Sequence, residues 1–335
     1  LMKRIAINGF GRIGRLTFRN LLLLDNVEVV AINDLTDIRT LTHLLKHDSA
    51  QGAFNGSAEV GDGCIIVNGQ AITVTSERRP LDLPWQAMKV DLVIECTGLF
   101  TDQVALDQHL QAGAGKVLLS APGKSGIKTV VNGVNDETLT ADDHIVSNAS
   151  CTTNCLAPVV KVLHEALGIR HGCITTIHDV TNTQTILDAH HKDLRRSRAC
   201  GMSLIPTTTG SATAITHIFP DLKGKLNGHA VRVPLANASL TDCVFEMQQE
   251  TSVEEINQLL QNASESAALK GILGFEERPL VSIDYRTDPR SCIVDALSTM
   301  VINATQVKLY LWYDNEWGYV NRAAELAKYI CANDQ

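Results

Sequence analysis

Two groups of residues in this chain could do chemistry, and each sits where an apolar run gives way to a helical pattern. The first is Gly9-Phe10-Gly11-Arg12-Ile13-Gly14, a G-x-G-x-x-G run near the start. Alone the spacing says little, because glycine triplets arise in ordinary turns. Here a strand-like run, Lys3 to Asn8, precedes it and an amphipathic stretch, Arg15 to Leu24, follows it. Asp34 then closes the next apolar run, Val27 to Asn33, about 20 residues on. In that setting Gly9, Gly11 and Gly14 let the backbone approach a pyrophosphate resting on the helix N-terminus. A carboxylate at Asp34 would accept hydrogen bonds from the adenosine ribose and repel a 2′-phosphate, so NAD is expected over NADP.

The second group is Ser150-Cys151-Thr152-Thr153-Asn154-Cys155, at the start of a predicted helix, Thr152 to Leu167. The helix dipole and the N–H groups of the first turn favour a thiolate at Cys151. Cys96, Cys155, Cys173, Cys243 and Cys292 fall within apolar patterns and are expected to be packed thiols. A nucleophilic thiol needs a base. Of the 11 histidines, His178 is the strongest candidate, because it ends the strand from Cys173 and opens a long polar segment. His190 and His191 are expected at the surface, while His43, His47, His109 and His164 lie on helical patterns.

Anion binding is the third chemistry. Lys192, Arg195, Arg196 and Arg198 cluster in the polar segment, Pro206-Thr207-Thr208-Thr209-Gly210 precedes a helix, and Arg232 interrupts the apolar run HAVRVPL. Guanidinium groups, hydroxyls and helix N–H groups are the set that binds phosphate. An arginine in an apolar strand needs a partner or a ligand. His and Cys never cluster at zinc spacing, so no metal site is expected.

The elements that must position these residues differ between the two halves. In the first, strands at Lys3–Asn8, Val27–Asn33, Asp91–Cys96, Lys116–Ser120 and His144–Ser147 alternate with helical stretches, which implies a doubly wound parallel sheet. Gly56 to Ser76 has the short alternating runs of a hairpin insertion. In the second half, runs at Cys173–His178, His229–Pro234, Leu240–Gln248, Ser298–Asn303 and Gln306–Asp314 follow one another without regular crossovers, as in a largely antiparallel sheet. Thr181 to Gly201 is polar and basic, a long loop of the kind that carries function. The fold class expected is α/β: a Rossmann dinucleotide-binding domain over 2–150, an α+β catalytic domain over 151–316, and a C-terminal helix over 317–335 packing back on the first domain.

With 335 residues, 44% hydrophobic, the chain can bury two cores. A formal net charge of -8 argues against nucleic-acid and membrane-surface partners. Nine scattered cysteines, no C-x-x-C pair and no secretory leader fit reduced thiols in the cytoplasm. Leu21 to Leu24 is too short to span a bilayer. Leu1 ahead of Met2 reads as a residue left by expression.

These segments, in this order, resemble glyceraldehyde-3-phosphate dehydrogenases from Lys3 to about Leu326. The match is carried by INGFGRIGR, SNASCTTNC, Thr175-Thr176-Ile177-His178, HKDLRRSRA, PTTTGSA, RVP and WYDNEWGY. The resemblance implies Cys151 as nucleophile and His178 as its activator. It implies cofactor contacts at Arg12, Ile13, Asp34, Arg78 and Ser120, with Asn315 orienting the nicotinamide amide. Ser150, Thr152, Thr181, Arg196, Thr209, Gly210 and Arg232 match the family's two phosphate sites. The implied reaction oxidises glyceraldehyde 3-phosphate through a Cys151 thioester that inorganic phosphate attacks, in a homotetramer. The chain departs from glycolytic relatives at Asp179, commonly Ser or Ala there, and at Thr183, Thr185, Thr213 and Ala189-His190. His178 to Thr185, Gly210 to Thr213 and Leu226 to His229 look like the subset that accompanies arsenate-resistance permeases. That likeness leaves arsenate as an alternative acyl acceptor, giving 1-arseno-3-phosphoglycerate, and erythrose-4-phosphate dehydrogenase remains a sibling reading.

Overall fold

A computed structural model describes residues 2–124 and 126–332. Leu1 and the end of the predicted C-terminal segment, 333–335, lie outside the described residues. The chain forms two compact units. One comprises residues up to Val130, Glu137–Ala149 and those from Val320 on; the other comprises Val131–Asp136 and Ser150–Tyr319.

The first unit is built on strands β1 (Lys3–Asn8), β2 (Val27–Asn33), β3 (Ala58–Val60), β4 (Cys64–Val67), β5 (Gln70–Thr75), β6 (Leu92–Glu95), β7 (Lys116–Leu119), β8 (Lys128–Thr129) and β9 (Ile145–Ser147). They form one sheet in the order β3-β4-β5-β2-β1-β6-β7-β9-β8. From β5 to β8 every pairing is parallel, while β3-β4-β5 is the antiparallel insertion expected from its turns. Helices α1 (Arg12–Leu21), α2 (Ile38–Lys46) and α3 (Gln103–Gln111) make the crossovers. The chain leaves β1 toward β2 on one side and returns to β6 on the other. This reversal opens a crevice at the carboxyl ends of β1 and β6, where such sheets bind ligands.

Helix α1 begins at Arg12 and ends at Leu21, three residues ahead of the sequence expectation at both ends. The glycines read as loop, but Gly14 is helical for a steric reason: a Cβ there would lie 2.1 Å from the Gly9 carbonyl oxygen. Its absence lets α1 pack directly on the turn that leaves β1. At the far end, Leu22 to Leu24 are already turning toward β2, and Asn26 takes a left-handed φ of 66°.

The second unit starts with α4 (Cys151–Leu167) and the strand β10 (Ile169–His178). It continues through β11 (Ile205–Thr208), α5 (Ser211–Ile218), β12 (Leu226–Arg232), β13 (Ser239–Met247), α6 (Val253–Ser264), β14 (Leu273–Glu276), β15 (Cys292–Asp295), β16 (Met300–Ile302) and β17 (Gln306–Tyr313). The sheet order is β11-β12-β10-β13-β17-β15-β14, with β16 on β17. β12 runs parallel to β10 and β14 parallel to β15; the other pairings are antiparallel. Helix α4 packs across β10, β13, β15 and β17.

The last helix, α7 (Trp317–Ala332), contributes Ala324, Leu326, Ala327 and Ile330 to the first unit's core, alongside Ile5, Ile7, Phe18, Leu92 and Ile94. Residues 179–199 contain no helix or strand, as expected of the polar loop. One packing expectation fails. Cys173 is exposed, because strand alternation puts Ile174, Thr176 and His178 on the buried face and turns Cys173 outward.

Candidate active site

In the first unit, the crevice at the carboxyl ends of β1 and β6 is a cleft of about 280 Å³ whose lining includes Gly9, Gly11, Asp34, Arg78, Thr97 and Leu99. Gly9 has φ +90°, and a Cβ on it would meet the Thr97 nitrogen at 2.7 Å, so only glycine lets the two strand ends close together. A Cβ on Gly11 meets nothing within 4 Å; that position faces open space at the N-terminus of α1. An anionic group can therefore approach the first-turn N–H groups of the helix directly. The Asp34 carboxylate accepts from the Phe10 N–H at 2.7 Å and the Thr36 N–H at 2.9 Å, which pins it beside the glycine turn. The cleft residues fit a dinucleotide on these grounds.

Polar residues at the strand ends hold that cleft. Buried Glu95 accepts from Asn8 Nδ2 at 2.5 Å, from the Thr97 N–H at 2.8 Å and from the Thr97 hydroxyl. Asn33 donates to the Asn8 side chain at 2.7 Å, and it grips the Glu77 backbone by both N–H and C=O at 2.8 and 2.9 Å, fixing the chain next to Arg78. Arg12, Ile13, Gly14 and Ser120 do not line this cleft. The Arg12 guanidinium forks onto Asp48 at 3.0 and 3.1 Å, so its side chain is committed elsewhere.

In the second unit, Ser150 caps α4, its hydroxyl accepting from the Thr153 N–H at 3.1 Å. Cys151 is thus the first helical residue. The residue before the cap, Ala149, takes a left-handed φ of 57°, an uncommon conformation for a side-chain-bearing residue. The Cys151 Sγ lies 3.6 Å from His178 Nε2. Register does the rest: His178 pairs with Arg232 of β12, and Ser239 of β13 pairs with Tyr313 of β17. Four neighbouring strands therefore bring Arg232, His178, Ser239 and Tyr313 to one end of the sheet.

His178 is 4% exposed and carries its partners with it. Its Nδ1 is 2.7 Å from Asp179 Oδ1. Burial works against the charged ring, yet the Asp179 carboxylate and the Cys151 sulfur outweigh it and push His178 up to about 9, with Arg232 opposing them. The raised value favours the imidazolium, with Nδ1 on the Asp179 side and Nε2 on the sulfur side. Nδ1 also lies 2.9 Å from the Asp179 carbonyl oxygen and 2.6 Å from Arg232 Nη1, which itself donates to that carbonyl at 3.0 Å. Tyr313 stands edge-on to the ring, and its hydroxyl meets Thr152 Oγ1 at 2.9 Å and Thr176 Oγ1 at 2.8 Å. Burial raises that phenol well above its ordinary value. Cys155, one turn along α4, is fully buried, and burial beside Cys292 drives its thiol well above the usual range.

The predicted anion-binding residues fall into two hydroxyl groups and one arginine. Ser150, Ser211 and Thr209 hydroxyls are linked at 3.1 Å each, where α4 and α5 begin next to Gly210. Thr181 and Thr183 hydroxyls are 2.9 Å apart, and Arg196 reaches Thr183 at 3.4 Å and Thr207 at 2.9 Å. Arg232 keeps a buried Nε with no hydrogen-bond partner among the described residues. Thr152 turns its hydroxyl to Tyr313 instead. Arg198 pairs with Asp188 at the surface, and Lys192 and Arg195 are exposed, so of the loop's basic cluster Arg196 alone joins the hydroxyls. Asn315, 6% exposed, lies 3.3 Å from the Ser239 hydroxyl, which in turn meets the Asp179 N–H at 3.1 Å.

Sequence reasoning passed over Asn8, Asn33, Glu95, Asp179, Ser239 and Tyr313. The first three shared one signal, a polar residue closing an otherwise apolar strand. Asp179 registered as a departure from relatives and not as a partner of the histidine beside it. Ser239 and Tyr313 depend on strand pairing, which the local pattern does not encode.

The chain is similar to known proteins along nearly its whole length. Residues 3–103 match the family model for the glyceraldehyde 3-phosphate dehydrogenase NAD binding domain, and 150–315 the model for the C-terminal domain of the same family. The chain is 57% identical over 329 residues to glyceraldehyde-3-phosphate dehydrogenase 3 of Nostoc sp., covering 98% of each. It is 53% identical over 330 residues to glyceraldehyde-3-phosphate dehydrogenase 1 of Bacillus cereus, again covering 98% of each. It is 52% identical over 330 residues to the glyceraldehyde-3-phosphate dehydrogenase of Geobacillus stearothermophilus, with the same coverage.

Proposed function

This chain belongs to the glyceraldehyde 3-phosphate dehydrogenase family, and from that premise we propose that it oxidises D-glyceraldehyde 3-phosphate to 1,3-bisphosphoglycerate with NAD, using Cys151 as nucleophile and His178 as acid and base. The observation that carries the proposal is the Cys151 sulfur at a helix N-terminus, 3.6 Å from Nε2 of an imidazole whose Nδ1 is 2.7 Å from a buried carboxylate.

The Cys151 thiolate attacks the aldehyde carbon, and a C–S bond forms. The His178 Nε2–H and the N–H groups at the start of α4 stabilise the oxyanion that develops. His178 passes its proton to that oxygen and takes it back as the carbon becomes a thioester. Bound NAD supplies the acceptor for the hydride lost in that step. Phosphate oxygen then attacks the thioester carbonyl, the C–S bond breaks, and the Cys151 thiolate is regenerated beside the imidazolium.

Gly9, Gly11, Asp34 and Arg78 are the residues that would hold the adenosine and pyrophosphate, with backbone N–H at Arg12 and Ile13; Gly14 contributes by letting α1 pack on the turn. Ser120 and Asn315 are carried over from the family pattern. The hydroxyls of Ser150 and Thr209, with Thr152 and Gly210, adjoin the nucleophile and suit the attacking phosphate. Thr181, Arg196 and Arg232 suit the phosphate that the aldehyde already bears. We place the NAD-binding domain at 2–150, the catalytic domain at 151–316 and the closing helix from 317.

A homotetramer in the cytoplasm is part of the same proposal. The long loop exposes Ile186, Leu187 and Leu194 at 74–84%, apolar surface that assembly would cover. Among the described residues no helix is long and apolar enough to cross a membrane. Sedimentation of the purified chain should give about four times its own mass.

The test of function is NADH formation from glyceraldehyde 3-phosphate with and without inorganic phosphate. Sustained turnover that requires phosphate is expected; turnover indifferent to phosphate would overturn the reading. No feature of the site favours arsenate or erythrose 4-phosphate over this substrate pair, and the same assay compares them.

A further inference from the structure

We infer that Asp179 is a positioning residue for the reaction, the third member of a Cys151–His178–Asp179 chain that fixes the orientation and charge of the imidazole. The inference rests on the thiol chemistry proposed above for Cys151. Three observations converge on it. The Asp179 carboxylate is 1% exposed, and a buried carboxylate is costly unless it is paired. Its ion pair is with His178 Nδ1, at 2.7 Å, on the nitrogen that points away from the sulfur. A second strand holds it in place: the Ser239 hydroxyl lies 3.4 Å from Oδ1 and accepts from the Asp179 N–H at 3.1 Å.

The chemical consequence follows from imidazole's two nitrogens. A carboxylate on Nδ1 selects the form with hydrogen on that nitrogen and stabilises a second proton on Nε2, aimed at Cys151. Four titratable groups face His178, one from each packed element: Cys151 from α4, Asp179 at the end of β10, Arg232 from β12 and Tyr313 from β17. Arg232 disfavours the imidazolium, and Tyr313 is neutral because burial raises its phenol. Asp179 and the thiolate are therefore the groups that stabilise the imidazolium, and Asp179 is the one that persists when the sulfur is acylated. In the thioester, where no thiolate remains, the carboxylate still holds the ring in place for the phosphate step.

The test needs neither cofactor nor substrate. Alkylation of Cys151 by iodoacetamide is followed against pH in the full chain, with Cys151→Ala subtracting the other thiols, including exposed Cys173. The wild type should show an upper inflection near pH 9. In Asp179→Asn, which keeps the shape but removes the charge, that inflection should fall by about one pH unit or more. A profile superimposable on the wild type would overturn the inference, since a purely structural aspartate has no reason to move it. If Asp179→Asn does not fold, Ser239→Ala serves: it unpins the carboxylate and should shift the inflection the same way by less, and an unmoved inflection there overturns the inference equally. A shifted inflection in a chain that fails to reduce NAD would sink the reaction assigned above while leaving this chain of residues standing.

Discussion

Cys151 and Cys155 are the same residue type four positions apart on one helix, and they should behave as opposites. Cys151→Ala should abolish NAD reduction and leave NAD binding and the circular dichroism spectrum intact; Cys155→Ala should keep most of the turnover, because its thiol only packs. Steady-state assays of the two variants settle the pair, and near-normal turnover in Cys151→Ala would remove the nucleophile. His178→Asn should slow oxidation by roughly 10²- to 10⁴-fold, the usual worth of a positioned acid–base group. The histidine also ties stability to pH. Its folded value, about 9, lies above the ordinary imidazole value of 6.5, so the protonated ring favours the folded state. That contribution is fully present below about pH 6.5, shrinks between 6.5 and 9, and is gone above. Urea midpoints of wild type and His178→Gln should therefore lie furthest apart near pH 6 and converge by pH 10; a constant gap would mean that packing, and not the proton, accounts for it.

At the scale of elements, the phosphate chemistry depends on strands and helix starts that share no local sequence. Arg232 is set between His178 and the Asp179 backbone with its Nε unpaired, whereas Arg196 reaches in from the long loop. Losing a hydrogen bond to a charged group costs about 1.5–3 kcal/mol. Arg232→Ala should then raise the apparent KM for aldehyde by roughly 10- to 100-fold, and Arg196→Ala by less. Equal kinetics with a lowered melting temperature would make both arginines structural. The β2 end offers a parallel test. Asp34→Ala should improve NADP use relative to NAD and weaken NAD itself, because Asp34 also accepts the Phe10 N–H; an unchanged NAD to NADP ratio would remove its role in selectivity. These cases also show what was legible beforehand. The parallel sheet, the largely antiparallel sheet and the start of α4 followed from apolar periodicity and from the hydroxyl residues around Cys151. Gly14 misled because its small size served helix packing and not a turn. Asp179 stayed hidden because a residue next to a histidine can face either way, and only burial and the register of Ser239 decide which.

On the scale of the whole molecule, the cofactor cleft is assembled within the first unit and the thiol within the second, so cofactor binding and thiol chemistry can be probed separately. Saturating NAD should raise the thermal midpoint, by linkage worth about 2.7 kcal/mol at a hundred times the Kd. Cys151→Ala should show the same rise; a midpoint indifferent to NAD would empty the cleft of its proposed occupant. The acyl-enzyme is the point where both halves of the reaction meet, and it can be caught. Mix the NAD-loaded chain with glyceraldehyde 3-phosphate in the absence of phosphate, follow NADH in a stopped-flow instrument, and weigh the intact protein by mass spectrometry. The prediction is a burst of at most one NADH per chain, a 3-phosphoglyceroyl adduct on Cys151, and discharge of that adduct when phosphate is added. NADH formed without any adduct, or an adduct on Cys151 that phosphate leaves untouched, would contradict it.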